Sequence, residues 1–177
     1  ERKIAAILGI FHNNDVEGII IDNRMNEGGA DTVLRQVLSY FTEGTLGYFI
    51  NRRGKFPLHI NDPEYVLNSG ELPMVVLVGP NTVSFGEIFS GILKDTHRAY
   101  LIGEKTDGNI EILWGYTFED GSRAWIAHDT FRPVNHPEHD WEQTGIIPDL
   151  TIPVAWEEYS VKEDPAVQAA LEYFDYR

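Results

Sequence analysis

Met74-Val75-Val76-Leu77-Val78, followed by Gly79-Pro80-Asn81 and then by Ser84-Phe85-Gly86-Glu87-Ile88, is the stretch on which the reading of the fold turns. Five apolar residues in a row, closed by turn residues, read as a strand buried on both faces. The Gly-Pro-Asn turn ends the strand, and a helix is predicted to follow over about 84–95. Upstream, Ile4, Ile7, Leu8 and Phe11 recur at helical spacing and predict an amphipathic helix. Gly18 to Asp22 is a short apolar run and reads as a second buried strand. The Asn26-Glu27-Gly28-Gly29 turn breaks it, and Asp31 is read as the cap of a helix bearing Leu34, Val37, Leu38 and Phe41 on one face. Leu46 to Ile50 predicts a strand, and residues 52–72, rich in Pro, Gly, Asn and Asp, are read as a surface loop.

Downstream, Ala99 to Ile102 predicts a short strand. Ile112 to Phe118 and Arg123 to Ala127 flank Glu119-Asp120-Gly121-Ser122 and predict a hairpin. Residues 129–147 read as a long loop, Asp149 to Val154 as a last strand, and Pro165 as the opening of a final helix through Ala169, Ala170 and Tyr173. Strand–helix alternation predicts an α/β fold with a largely parallel sheet and one antiparallel hairpin, in a single domain over 1–177. The chain begins Glu1-Arg2 inside a helical pattern, so an upstream part is expected to be missing.

Composition narrows the function. Of 177 residues, 42% are hydrophobic and 12% aromatic, as in an ordinary globular domain. Lys and Arg number 14 against 28 Asp and Glu, a formal net charge of −14. Nucleic-acid binding needs a basic surface that displaces counterions, so no nucleic-acid partner is expected. Docking on anionic membranes is disfavoured for the same reason, and no apolar run has the length of a membrane span. With no Cys there is no disulfide, no thiolate nucleophile and no zinc–thiolate site.

Three stretches carry chemistry. Asp22-Asn23-Arg24-Met25-Asn26-Glu27-Gly28-Gly29 sits where a strand hands over to a helix, the edge at which α/β sheets gather binding sites. Adjacent glycines can turn the backbone sharply and present an N–H to an oxyanion; the plain alternative is a tight turn. Ser84 lies at a helix N-terminus, where the dipole and free N–H groups stabilise developing negative charge, and the Phe85 N–H is a second candidate donor. Ser84-x-x-Glu87 is equally a capping box. It is not the Gly-x-Ser-x-Gly elbow of lipases. Glu142, before Gly145-Ile146-Ile147-Pro148-Asp149, could orient a base or simply be solvated. His136-Pro137-Glu138-His139-Asp140 has the residue types of a metal cluster, but its histidines stand i, i+3 in a Pro-containing loop without a second ligand set, so no metal is expected. His12 lies on a helix, His97 follows one, and His128 is a secondary candidate for a base.

Taken in order, these motifs resemble the C-terminal processing and tricorn-type serine peptidases. The family's Asp-x-Arg-x-Asn-x-Gly-Gly turn is matched by Asp22 to Gly29, and its Ser-x-x-Glu-Ile helix start by Ser84 to Ile88. Gly103 to Gly108 matches Gly-Glu-x-Thr-x-Gly. Asp120 to Ser122 matches the hairpin Asp-Gly-Ser, Gly145 to Asp149 matches Gly-Ile-x-Pro-Asp, and Asp164 to Leu171 is similar to the terminal helix. The resemblance implies a crotonase-like (ClpP/crotonase-type) core, peptide-bond hydrolysis through an acyl-enzyme, no cofactor and a peptide or protein substrate, with oligomer formation left open. It implies Ser84 as nucleophile and the N–H groups of Gly28 and Phe85 as oxyanion hole. The compartment leans extracytoplasmic, periplasmic or secreted.

One departure separates the branches of the family. Processing peptidases pair the serine with Lys and Gln in a Gly-Lys-Gly-x-x-Gln stretch; here Asn109 and Leu113 stand at those positions, and Asn109 has no base to take the Ser84 proton. Lys105 is near in sequence but has no catalytic role in the pattern. The tricorn branch uses an upstream His with a neighbouring Ser, and a Glu whose position Glu142 matches. The resemblance therefore implies a tricorn-like peptidase whose His lies outside 1–177. The rival reading is a peptidase-like binding module, as in the retinoid-binding repeats of photoreceptor matrix protein, which share the fold without the dyad.

Overall fold

The structure, a computed structural model, describes residues 2–14, 16–153 and 155–176. Helix α1 (Arg2–Asn13) precedes strand β1 (Ile19–Asp22), helix α2 (Asp31–Ser39), strands β2 (Gly44–Asn51), β3 (Gly54–Ile60) and β4 (Met74–Val78), and helix α3 (Phe85–Asp95). Strands β5 (Tyr100–Gly103), β6 (Ile112–Thr117), β7 (Arg123–Pro133) and β8 (Leu150–Thr151) follow, then a 3₁₀ turn (Trp156–Glu158) and helix α4 (Pro165–Asp175).

The expected α/β class holds, but the expected single, largely parallel sheet does not. Among the described residues two four-stranded sheets form: a parallel one in the order β1-β4-β5-β8, and an antiparallel one in the order β3-β2-β7-β6. Pairing partners are decided far along the chain: β2, read only as an isolated strand, takes β3 on one side and β7 on the other. Strand β3 lies within the stretch expected to be loop. Its Leu58 and Ile60 are buried at every second position, but Pro57 interrupts the pattern. A proline is tolerated because β3 is an edge strand and needs no donor on its free side.

Strand β7 extends through Pro133 into the region expected to be loop, and β8 pairs only at Leu150 and Thr151; the expected strand's end, Val154, lies outside the described residues. Ala30, not Asp31, is the N-cap of α2, and Asp31 in the first turn pairs with Arg35 at 2.8 Å. The hairpin of β6 and β7 and the final helix form as expected.

Both faces of the parallel sheet are covered, which explains the continuous apolar run of β4. Met74, Val76 and Val78 point into one core with Leu38, Leu46, Ile88, Ile92 and Phe131. Val75 and Leu77 point the other way, onto Ile102 and the α4 residues Ala166 and Ala170. The C-terminal ends of β1 and β4 are neighbours, so the turns after Asp22 and Val78 meet at one edge.

Candidate active site

At that edge the two turns are laced together. The buried Thr82 donates its hydroxyl to the Asn23 carbonyl at 2.9 Å and accepts from the Gly79 N–H at 3.1 Å. The Val83 N–H donates to the Asn26 carbonyl at 2.9 Å. Asn23 donates to the Gly86 carbonyl and to Ser90 Oγ at 2.9 and 2.7 Å, tying β1 to the first turns of α3. Gly86 is required here: a Cβ on it would sit 2.4 Å from the Asn26 carbonyl oxygen.

Ser84 is the residue on which these ties converge. Its backbone takes φ 56° and ψ −126°, a region that costs an L-residue about 1–3 kcal/mol and is held only by its surroundings. The Ser84 N–H donates to the Asn109 carbonyl at 2.9 Å and to Glu87 Oε2 at 3.2 Å; its carbonyl accepts from Glu87 and Ile88 at 2.9 and 3.1 Å. The side chain is half-buried beside Gly28, where an added Cβ would lie 2.8 Å from Ser84 Cβ and 3.1 Å from both Ser84 Oγ and the Phe85 nitrogen. The positive φ of Gly28, 99°, suits glycine as well.

Of the two amides expected to form an oxyanion hole, that of Phe85 finds no acceptor among the described residues. The Gly28 N–H is engaged: it donates to Asn26 Oδ1 at 2.9 Å, and Asn26 is held in turn by donating to Asn23 Oδ1 at 2.8 Å.

Glu87, recognised in the sequence only as half of a capping box, is wholly buried and organises the site. Besides the Ser84 N–H, its carboxylate accepts from Thr106 Oγ1 at 2.6 Å, from the Gly108 N–H at 2.7 Å and from the Asn109 N–H at 2.9 Å. Thr106 Oγ1 also accepts from the Ile146 N–H at 2.7 Å. One carboxylate and one hydroxyl thus join the Ser84 helix start, the 103–108 motif and the 145–149 motif. The sequence signal was present in the spacing of Ser-x-x-Glu, but local pattern gives no hint that a distant loop supplies three of the four donors.

Glu142 lies against the same loop: its Oε2 accepts from the Ile110 N–H at 2.9 Å, next to the Asn109 that holds Ser84. Asn109 and Leu113, which the resemblance sets where processing peptidases have Lys and Gln, are exposed, as is Lys105. Neither His12 nor His97 joins the site; both are exposed. His136 pairs with the buried Asp95 at 2.7 Å and stacks on His139, and among the described residues no group of three or more metal-ligating side chains converges. His128 pairs with Asp129 at 2.8 Å and stacks on Trp114.

The Asp22-x-Arg24 pair is structural. The buried Arg24 donates to both oxygens of Asp22, at 2.9 and 2.7 Å, and to Asp164 at 2.6 Å; Asp164 caps α4 through the Ala166 and Val167 N–H groups. Burial pushes the Asp22 carboxyl up, but the hydrogen bonds and charge of Arg24 outweigh it and hold the group below the usual aspartate range.

Phe85, the residue after Ser84, lines two clefts. One is an apolar groove of about 520 Å³, lined by Gly28, Gly29, Val33, Phe85, Phe89 and the α1 residues Ile7 and Phe11. The other, about 360 Å³, is walled by β2, β6 and β7. A further cavity, about 690 Å³ and lined by Lys94, Arg98, His136 and Trp141, does not include the serine turn.

A serine at a strained strand-to-helix turn, next to an amide without an acceptor among the described residues, sits on a mixed α/β fold of one parallel and one antiparallel sheet, and this defines the class of α/β domain. Within that class the chain belongs to peptidase family S41, whose model matches residues 1–152. It is 30% identical over 175 residues to a carboxyl-terminal-processing protease of Synechocystis, covering 97% of this chain and 40% of that protein. It is 31% identical over 164 residues to the tricorn protease of Thermoplasma volcanium, covering 88% of this chain and 14% of that one. Among solved structures, the photosystem II D1 C-terminal processing protease superposes with a TM-score of 0.78 at 23% identity, over 95% of this chain and 42% of that one. The chain thus spans well under half the length of these relatives.

Proposed function

We propose that this chain is the nucleophile-bearing core of a serine-type peptidase that hydrolyses peptide bonds through an acyl-enzyme at Ser84. The observation that carries the reading is the forced backbone of Ser84 beside Gly28, with a Phe85 amide that has no acceptor among the described residues. Ser84 Oγ attacks the scissile carbonyl while a base takes its proton. The tetrahedral oxyanion is held by the Phe85 N–H and by the Gly28 N–H once that amide exchanges Asn26 Oδ1 for the oxyanion. Each donor contributes roughly 3 kcal/mol to transition-state stabilisation. Collapse expels the amine product with a proton returned by the base, and water then hydrolyses the ester.

Position 109 supplies no base, so the base is a tricorn-like His from outside residues 1–177, oriented by Glu142, whose contact with the 108–110 segment keeps it beside the serine turn. The parallel half of the fold is then the crotonase-like core, and residues 1–177 act as one domain of a longer protein. Its substrates are peptides or proteins, and it works outside the cytoplasm; one similar carboxyl-terminal-processing peptidase, from Arabidopsis, is named as chloroplastic. No described helix is long and apolar enough to cross a membrane.

The engaged Gly28 amide and the exposed Asn109 favour a second reading, a domain that binds peptide without cleaving it. Substituting Ser84→Ala in the full-length protein decides between them. Under the peptidase reading the fold is retained, turnover of peptide substrates disappears, and covalent labelling by a fluorophosphonate is lost. Undiminished turnover in that variant would refute the assignment, and a wild-type protein that binds peptide but neither cleaves it nor takes the label would establish the second reading.

A further inference from the structure

Among the described residues the antiparallel sheet has two free edges, β3 and β6, and they are built differently. Edge strands present unpaired N–H and C=O groups, and proteins ordinarily blunt them with charges or proline. Strand β3 is blunted in this way by Lys55 and Pro57. Strand β6, Ile112-Leu113-Trp114-Gly115-Tyr116-Thr117, has neither a charged residue nor a proline. Its Leu113, Trp114 and Tyr116, with Trp125 and Ile126 of β7, are 43–65% exposed in a chain of charge −14. An apolar, unblunted edge left open in an acidic chain marks a site that takes a partner strand.

The main chain of this edge is set for pairing. The Phe118 N–H donates to the Ser122 carbonyl at 2.9 Å, which fixes the alternation of the ladder. Trp114 and Tyr116 turn their N–H and C=O groups toward β7 as Phe118 does, and those of Leu113, Gly115 and Thr117 point to the open side. Gly115 is covered by the ring of Trp125, its partner on β7: an added Cβ would lie 2.9 Å from the indole. Such a ring over an edge glycine keeps the strand extended. Trp114 and Tyr116 share one face with Ile126, so that face is apolar and largely aromatic.

The edge also leads to the candidate active site. The chain enters β6 from Asn109, whose carbonyl accepts the Ser84 N–H at 2.9 Å, and from Ile110, whose N–H is held by Glu142. Ile112 and Trp114 line the cleft that Phe85 also lines. At this end of the ladder Ile112 pairs with Asp129 while Leu113 pairs with Ala127, so His128 is the extra residue of a β-bulge and stands beside Asp129. A bulge bends and twists the ribbon. From Ile112 to Thr117 the strand runs away from the serine turn, so a chain antiparallel to it runs toward Ser84.

We propose that β6 is the docking strand for substrate: the part of an extended peptide on the N-terminal side of the scissile bond adds to its open edge as a fifth, antiparallel strand. At about 3.3 Å per residue from Asn109, the peptide residue opposite Leu113 lies about four residues before the bond that Ser84 attacks. Peptide residues opposite Leu113 and Gly115 exchange main-chain hydrogen bonds with β6. Those opposite Trp114 and Tyr116 turn their side chains onto the aromatic face and are apolar. The position of the scissile bond rests on the peptidase reading; the pairing with β6 does not.

Alanine-based decapeptides with two leucines two residues apart are titrated into the full-length Ser84→Ala protein, each also with one amide at a time N-methylated, and the same peptides are offered to the wild type for cleavage. N-methylation of alternate amides is expected to weaken binding about fivefold, with the amides between them tolerant. Bound peptide should slow hydrogen exchange at Leu113, Gly115 and Thr117. Leu113→Pro removes an N–H on the open side without touching the ladder to β7, so it should weaken the same peptides while the urea midpoint holds. An N-methyl scan without a two-residue period, exchange at the three amides unchanged by peptide, or undiminished affinity in a folded Leu113→Pro protein overturns the docking strand. So does exchange that is already slow in the free full-length protein: protection lost on dilution assigns the edge to a second copy, and protection independent of concentration assigns it to another segment of the same protein. Alternating sensitivity without cleavage by the wild type upholds the docking strand and sinks the peptidase reading; cleavage without alternation does the reverse.

Discussion

Glu87 carries more of the local order than Ser84 itself. It is an acceptor for four donors drawn from two segments, and three of them tie the 106–109 loop to the start of α3 alongside the Ser84 N–H bond to the Asn109 carbonyl and the Asp107 N–H bond to the Thr82 carbonyl. Replacing it by glutamine keeps the shape but turns one acceptor into a donor that faces other donors. Glu87→Gln should therefore cost about 2–4 kcal/mol, read as a lower urea midpoint. A loss below about 1 kcal/mol would mean that the loop is held by other contacts. At this scale the sequence was half legible. Ser84, Gly28 and Phe85 stand in a recognisable order along the chain, whereas the occupation of the Gly28 amide by Asn26 depends on a side-chain torsion that no spacing encodes.

Among the elements, α4 shows how a charged motif at one edge of the sheet fixes a helix distant in sequence. Asp164 caps that helix and also neutralises the buried Arg24 at the end of β1. Asp164→Ala should destabilise the protein by about 3 kcal/mol, combining a lost cap of about 1 kcal/mol with a buried guanidinium short of a partner. Asp164→Ser restores the cap alone, so denaturant unfolding should return about 1 kcal/mol of the loss; full recovery would refute the role given to Arg24. Strand β3 was invisible to pattern reading for a matching reason. An edge strand with Pro57 and one buried face has too few alternating residues to register, and its pairing with β2 supplies what the pattern lacks.

For the molecule as a whole, Asp22 and Asp129 are both held below their ordinary range by partners present only in the fold. The unfolded chain therefore binds protons at these groups at a higher pH than the folded chain. Their stabilisation is complete above the ordinary aspartate range, and it is lost as pH falls through that range and then through the folded values. Urea midpoints measured from neutral pH down to about pH 3 should decline across this window. Asp22→Asn should flatten the decline; an unchanged slope would show that acid sensitivity lies elsewhere.

Read alone, the sequence determined the α/β class, the central two-faced strand β4, the hairpin, the final helix and the set of motifs that placed the chain in its family. These follow from runs, periods and turn residues within a few positions of one another. Only the tertiary structure decided that the strands divide into a parallel and an antiparallel sheet, that Glu87 binds a loop about twenty residues further on, and that a bulge turns His128 beside Asp129. Strand partners, buried carboxylates and bulges are satisfied by groups remote in sequence. Their energy comes from desolvation and hydrogen bonding that exist only once the chain has closed on itself.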